Sequence, residues 1–390
     1  MEKMRIGDAC NILNGFAFKS ENYMDSGIRI IRIANVQKGF VEDTMPVFYP
    51  INSEGLDKYM LEEGDLLISL TGNVGRVALL EKEMLPAALN QRVACLRLKT
   101  DKISKRYLFH ILNSNYFEQQ CIQSSKGVAQ KNMSTEWLKD YEIPLHSAER
   151  QAEIISVLDR IELIMADRKK ELKKLNDLIK ARFVEMFGDP EFNNMGWNKE
   201  YLGSLCNVGS SKRIYQNEQS TEGIPFLRIS DVVNLIDTGA LTCDLYIPES
   251  RFDELFDQGL VPQEGDILLT ARGTLGKCYI VQAEDRFYFQ DGMISWLSKF
   301  SDSVTPLYIS NLFKMPGFRK QIDELQAGST VAYLSIAMTK KLSVMLPPID
   351  LQKQFEFFVK QVEKSRAIVK KGLDEITLLY ECLLQRFFRI

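Results

Sequence analysis

Residues 67–80 read LISLTGNVGRVALL, and 201 positions later residues 268–281 read LLTARGTLGKCYIV. The first stretch parses as strand, glycine-punctuated loop, strand, and so does its echo. Phosphate cradles of known kinds sit where a strand runs into a helix, with the helix N-terminus aimed at the anion. Here the residues after Gly75 (RVALLEK) and after Gly276 (KCYIVQAED) have strand character, so that helix dipole is missing. A hairpin turn whose glycines supply positive φ is the plain reading. A third reading fits better: a tight loop projecting Thr71, Asn73 and Arg76, or Arg272, Thr274 and Lys277, toward a polymeric phosphate backbone.

The echo extends over the whole chain. GIRIIRIANV (27–36) is answered by GIPFLRISDV (223–232), EEGDLLISLTGNVGR (62–76) by QEGDILLTARGTLGK (263–277), and IPLHSAERQ (143–151) by LPPIDLQKQ (346–354), at offsets of 196, 201 and 203. Order and spacing persist across a full half, a period far too long for a solenoid. Two tandem copies of one domain-plus-helix unit are expected. Within each copy, short aliphatic runs such as IRIIRIANV and DLLISL favour strands. SKRYLFHILNSNYFEQQCIQ (104–123) and TPLYISNLFKMPGFRKQIDEL (305–325) show helical spacing, the latter broken at Pro316-Gly317. The fold class is therefore α+β: two similar mixed domains in tandem, separated by long helices.

From Ile154, positions 154, 158, 161, 165, 168, 172, 175, 179, 182 and 186 step by four and three, and eight of the ten are apolar. That is a coiled-coil seam, stopped by Gly188-Asp189-Pro190. After Pro347-Pro348 the same spacing recurs at Phe355, Phe358, Val362, Val369, Ile376, Leu379 and Leu383, interrupted at Ser365 and Gly372. The interruption marks either a loosened helix or a docking notch. An intramolecular antiparallel pair is expected; two unrelated amphipathic helices on separate cores are the alternative. About 38 residues at ~1.5 Å each make a rod of roughly 57 Å. The expected layout is domain 1 over 1–148, the central helix over 149–188, domain 2 over 189–349 and the C-terminal helix over 350–390.

Composition narrows the class. The chain has 390 residues, 45% of them apolar and 26% charged, which is ordinary for a globular protein of two or more domains. No run approaches eighteen apolar residues and the start has no signal core, so no membrane partner is expected. Seven cysteines without C-x-x-C spacing suggest reduced thiols, a cytoplasmic location and no zinc site. Net charge is −3, and residues 190–349 alone carry 14 basic and 19 acidic groups, so a nucleic-acid partner would require basic groups gathered on one face.

The chemistry of an enzyme is missing. There are two histidines, His110 in an apolar helical setting and His146 in a connector, and both read as structural. No G-x-S-x-G, H-E-x-x-H or P-loop occurs. The Asn/Asp-Pro-Pro-aromatic motif of amino-methylating enzymes is absent too. Glu171-Leu172-Lys173 reads as a solvated helix face rather than a nuclease motif. Two late polar clusters, SSKGVAQKNMS (124–134) and QAGSTVAYLS (326–335), suit base-edge hydrogen bonding, and equally suit any exposed loop. The early segments GFAFKSENY (15–23) and GSSKRIYQNEQ (209–219) match in position but differ in residues. The frame repeats while the polar residues on it change, as expected if the halves bind similar objects with different sequences.

Together, GFAFKS, SSKRIY…GIPFLR, the EGDLLISLTGNVGR and EGDILLTARGTLGK pair, the proline-glutamine entries to the long helices and the junction MFGDPEFNNMGW (186–197) resemble the specificity subunit of type I restriction-modification systems. The resemblance covers essentially the whole chain. It implies two target-recognition domains, each reading half of a split site in double-stranded DNA. It also implies a coiled coil that separates them and docks methyltransferase (M) subunits, with restriction (R) subunits joining that core. It implies no catalysis and no cofactor in this chain. S-adenosylmethionine would belong to the methyltransferase subunits, and ATP and Mg to the restriction subunits. The nominated DNA-facing residues are Lys19, Thr71, Asn73, Arg76, Lys126, Lys131 and Asn132 in the first domain, and Lys212, Arg213, Arg272, Thr274, Lys277 and Tyr333 in the second. The rival readings are a coiled-coil scaffold that binds proteins without DNA specificity, and a silent specificity cassette. If the helices act as a ruler, a ~57 Å rod spans roughly 17 base pairs at ~3.4 Å each. Removing one heptad from both helices is then expected to shorten the spacer of the methylated sequence and leave both half-sites unchanged. An unaltered gap would defeat the ruler.

Overall fold

A computed structural model describes residues 2–125, 132–326 and 332–388. The chain divides into two compact units. Unit 1 comprises residues 1–169 with 370–390, and unit 2 comprises 170–369. The division falls inside the two long helices, Ala148–Phe187 and Ile349–Phe388, each of 40 residues.

Both units are mixed α/β and share one strand plan. Unit 1 has a four-stranded antiparallel sheet in the order Cys10–Asn14, Val93–Leu98, Leu66–Ser69, Val77–Leu79. Beside it, Ile28–Ile31 lies between Phe48–Tyr49 (antiparallel) and Ala87–Leu89 (parallel). Glu2–Arg5 pairs with Glu142–Leu145 just before the long helix. Unit 2 repeats this order with Asn207–Gly209, Ile294–Ser298, Ile267–Thr270 and Cys278–Ile280. Its smaller sheets are Tyr246–Ile247, Ile224–Leu227, Tyr288–Phe289, and the pair Asn198–Tyr201 with Ser343–Leu346. Leu66, Leu67 and Ile68 are all fully buried, as are Ile267, Leu268 and Leu269. These central strands are covered on both faces, which is why they read as continuous apolar runs rather than alternating ones.

The structure corrects three details of the sequence reading. The third repeat offset is 201, not 203. Strands 142–145 and 343–346, and the long helices beginning at 148 and 349, match at that spacing. The rise from 196 to 201 falls between strands Ile224–Leu227 and Ile267–Thr270 in two steps, because Tyr246–Ile247 matches Phe48–Tyr49 at an offset of 198. There unit 2 carries helices Ile229–Thr238 and Glu249–Asp257. Second, residues 104–123 form two helices, Lys105–Leu112 and Asn115–Ser124, each started by a serine hydroxyl (Ser104, Ser114) accepting a backbone N–H. The counterpart in unit 2 breaks where expected, with Pro316 opening the second helix. Third, the seam of the second long helix passes through Phe355, Val359, Val362, Arg366, Val369, Leu373, Ile376 and Tyr380, all buried or half-buried, whereas Leu379 is 50% exposed. The interruption at Ser365 and Gly372 disappears, because those residues sit one position off the seam.

The matching glutamines show what the repeated helix entry does. Gln151 Oε1 accepts the Ser104 N–H at 3.0 Å, while its amide donates to the Lys102 and His146 carbonyls at 2.8 and 3.0 Å. Gln352 repeats all three bonds, with Thr305 N–H at 3.0 Å and the Ser303 and Pro347 carbonyls at 2.9 Å. Each amide ties a long-helix N-terminus to the start of a domain helix from a buried position. Gln352→Leu is expected to orphan a buried N–H and cost about 1–3 kcal/mol. Urea unfolding of the variant measures it, and an unchanged midpoint would show that the clamp is idle.

In unit 1 the last part of the second long helix joins the domain core through Tyr380, Leu384 and Phe388 beside Ile154, Leu158 and Ile161. In unit 2 the aromatic residues Phe183, Phe187, Tyr308 and Phe355 meet with ring centroids 4.9–5.6 Å apart. The two long helices are thus packed together within each unit.

Candidate nucleic-acid interface

The loop of residues 70–76 is a turn between antiparallel strands, Leu66–Ser69 with Val77–Leu79. Gly72 and Gly75 have φ of +71° and +81°, and their equivalents Gly273 and Gly276 have +65° and +75°. A Cβ on Gly75 would come within 2.7 Å of the Cys121 side chain, so the loop is pressed onto helix Asn115–Ser124. The Ser69 hydroxyl accepts the Arg76 N–H at 3.1 Å and donates to the Asn73 carbonyl; Thr270 does the same for Lys277 and Thr274. The preceding E-G-D is structural as well. Asp65 and Asp266 accept the N–H groups of Glu62 and Gln263 at 2.8 and 2.9 Å. The shared residues of the repeat therefore build the loop.

Leu70 and Val74 differ from Ala271 and Leu275 but are buried like them, whereas the differing polar residues Thr71 and Arg272, and Asn73 and Thr274, are half-exposed or exposed. Thr71 bridges Asn132 through the backbone, and Arg272, at the equivalent position, bridges Tyr333. The Arg272 guanidinium lies 4.9 Å from the centroid of the Tyr333 ring. Arg272 is exposed and makes no ion pair among the described residues. The other loop cations are engaged. Arg76 donates to Gln37 Oε1 at 2.6 Å and lies 3.8 Å from Glu118, with 29% of its side chain exposed. Lys277 binds both carboxylate oxygens of Asp237 at 2.6 Å; Asp237 lies on helix Ile229–Thr238, in a segment that carries inserted residues. Asn73 and Thr274 are exposed. Lys19 is exposed and 3.8 Å from Glu21. Lys126 and Lys131 lie outside the described residues.

Unit 2 gathers three nominated or neighbouring segments around a polar hollow of about 360 Å³. Its lining includes Arg213, Arg272, Gln219, Gln290 and Asp291, with Phe226 and Met293 as apolar wall. Arg213 Nε donates to Asp291 Oδ2 at 2.8 Å. Lys212 is exposed beside it, its backbone N–H bonded to the Tyr288 hydroxyl at 2.9 Å. Gln219, Gln290 and Asp291 escaped the sequence reading. Their signal was positional: Asn90 and Gln290 both donate a backbone N–H to the strand beside them, to Ile31 and Leu227 at 3.2 and 2.9 Å. They are the same place in the frame with different side chains.

His110 is fully buried, its Nε2 2.7 Å from Asp159 and its Nδ1 3.1 Å from the Tyr380 hydroxyl. Burial pulls its pKa down while Glu162 and Asp159 push it back. His110, Asp159 and Glu162 could in principle ligate a cation. Arg106 already sits on both carboxylates, at 2.7 and 2.5 Å, and the Tyr380 hydroxyl donates to Glu162 at 2.7 Å, so the cluster is an internally hydrogen-bonded network. His146 Nδ1 lies 2.5 Å from the Tyr107 hydroxyl. Both histidines are hydrogen-bonded within unit 1, and the seven cysteines are free.

The family profile described as type I restriction modification DNA specificity domain matches residues 1–174 and 194–378. The chain is 26% identical over 278 residues to a putative type I restriction enzyme specificity subunit, S.HindORF215P, of Haemophilus influenzae, covering 70% of this chain and 68% of that protein. It is 22% identical over 422 residues to the EcoBI specificity subunit of Escherichia coli, covering 99% and 85%. The crystal structure of the type I restriction-modification S subunit from M. genitalium superposes with a TM-score of 0.53 at 17% identity, covering 99% of this chain and 96% of that one. A shared fold of two mixed α/β domains with paired long helices follows from that match. The chain belongs to the family of type I restriction-modification DNA specificity subunits, which are non-catalytic.

Proposed function

We propose that this chain reads a split, asymmetric site in double-stranded DNA, one half with each unit, and docks methyltransferase and restriction subunits on its helical region. S-adenosylmethionine, ATP and Mg would be supplied through those subunits, in the cytoplasm. Among the described residues, no helix is long and apolar enough to cross a membrane. The observation that carries the reading is the repeat itself. Loop-building bonds recur one for one, while equivalent outward positions hold Thr71 or Arg272, Asn90 or Gln290, and Asn132 or Tyr333. A scaffold that binds the same partner at both ends has no need for this divergence. Two readers of unlike half-sites do, since base edges are told apart by side-chain donors and acceptors.

Lys19, Asn73, Asn132, Lys212, Arg213, Arg272 and Thr274 are the described nominees that are exposed to solvent, and they are proposed to face DNA. The test is co-expression with a type I adenine methyltransferase subunit and mapping of methylated adenines. A split asymmetric motif is the expected result. A stable complex without any motif would support the scaffold reading.

A further inference from the structure

The Arg213–Asp291 pair has a pattern with a specific complement. One Arg213 nitrogen is bonded to one Asp291 oxygen at 2.8 Å. The terminal amino groups of Arg213 and Oδ1 of Asp291 have no hydrogen bond among the described residues. The Arg213 side chain is 65% exposed and that of Asp291 22%. A joined Arg–Asp pair therefore offers donors from the guanidinium next to an acceptor from the carboxylate. The major-groove edge of a G·C pair offers two acceptors, guanine N7 and O6, followed by one donor, the cytosine amino group. An A·T pair presents its amino donor between two acceptors, so the same arrangement does not match it.

The position of the pair supports a reading role over a framework role. Asp291 lies on the rim of the hollow that Arg272 and Gln290 also line. Unit 1 has Gln91 at the turn matching Asp291 and a phenylalanine-rich segment (GFAFKS) where unit 2 has Ser211-Lys212-Arg213. Framework pairs behave differently: Asp65 and Asp266, the glutamine clamps and the loop hydroxyls are kept in both units. The Arg213–Asp291 pair is present in one unit alone, its guanidinium is largely exposed and both residues line the polar hollow, which places it with the varying set.

Resting on the DNA-reading function proposed above, the geometry points to Arg213 and Asp291 acting as one unit that reads a single G·C pair in the unit 2 half-site. Arg213 donates to guanine and Asp291 accepts from the cytosine amino group. Each holds the other in place before DNA arrives, so neither charge has to be ordered on binding.

The test uses the full chain co-expressed with a type I adenine methyltransferase subunit, with the methylated motif read genome-wide. Asp291→Ala and Arg213→Ala are both expected to relax the same single position of one half-site. Preference for G·C there should fall roughly 5- to 150-fold, the range for one good base contact. The other half-site keeps its sequence, which also reports a folded complex. The assignment is overturned if the two variants relax different positions, if the shared position is A·T in the wild-type motif, if neither variant changes the motif, or if methylation stops with the complex intact. A wild-type complex that methylates no split motif would instead count against the DNA-reading function itself.

Discussion

Phe355→Ala is expected to destabilise unit 2 by about 3–5 kcal/mol, the usual cost of removing a buried phenylalanine ring. Phe355 is fully buried and stands edge-on to Phe183 and Phe187, at centroid distances of 5.5 and 5.3 Å. Those two rings in turn pack on Tyr308, whose hydroxyl donates to the Met345 carbonyl at 3.0 Å. Four aromatic side chains from three helices thus meet where the long helices join the domain. The ring leaves a cavity that its rigid neighbours fill poorly. Edge-to-face geometry adds about 0.5–1.5 kcal/mol per pair beyond area, so the upper half of the range is expected. Urea unfolding measures the effect. A loss under 1 kcal/mol would mean that the cluster relaxes freely and does not hold the helices. Phe357 is the control. It is 67% exposed on the same helix, and its replacement by Ala should change stability little.

Arg272→Ala is expected to weaken recognition of the unit 2 half-site by roughly 1–3 kcal/mol and to leave the other half-site untouched. The reason is the contrast with its neighbours. Lys277 is neutralised by Asp237 and Arg76 is turned onto Gln37, whereas Arg272 is exposed, lies over the Tyr333 ring and makes no ion pair among the described residues. Stacking restrains the guanidinium without neutralising it, so its donors remain for a base edge or a phosphate. The two uses are separable. Loss of a base contact relaxes one position of the methylated motif. Loss of a phosphate contact weakens all sequences alike and lowers the salt slope by about one. Equal loss at both half-sites, with folding intact, would contradict separate reading by the two units.

The fold was readable wherever local chemistry repeats. E-G-D followed by a glycine-rich hairpin needs an aspartate to close its turn and glycines at positive φ, and these demands leave the same letters at 62–76 and 263–277. The helix entry was harder. LPPIDLQKQ contains two glutamines, and only burial identifies Gln352 as the partner in role of Gln151, with Gln354 left outside. The seam of the second long helix was ambiguous for the same reason. Apolar residues occur on several faces, as at Phe357, Phe358 and Val359, so a one-residue slip in phase costs nothing in the pattern. The interface was the least legible part. Arg213, Arg272 and Asp291 come from three segments up to 78 residues apart, and their convergence leaves no spacing to detect.

By itself, then, the amino-acid order determined a duplicated α+β frame, two long helices, the absence of catalytic motifs and the family resemblance. All of these rest on short-range patterns or on self-comparison. Tertiary structure decided which cations stay available and which are spent on neighbouring carboxylates. It decided which glutamine locks each helix, and which polar residues share one hollow. Those outcomes depend on distances between segments that only packing brings together, because an ion pair or a hydrogen bond acts over a few ångströms of space whatever the separation along the chain.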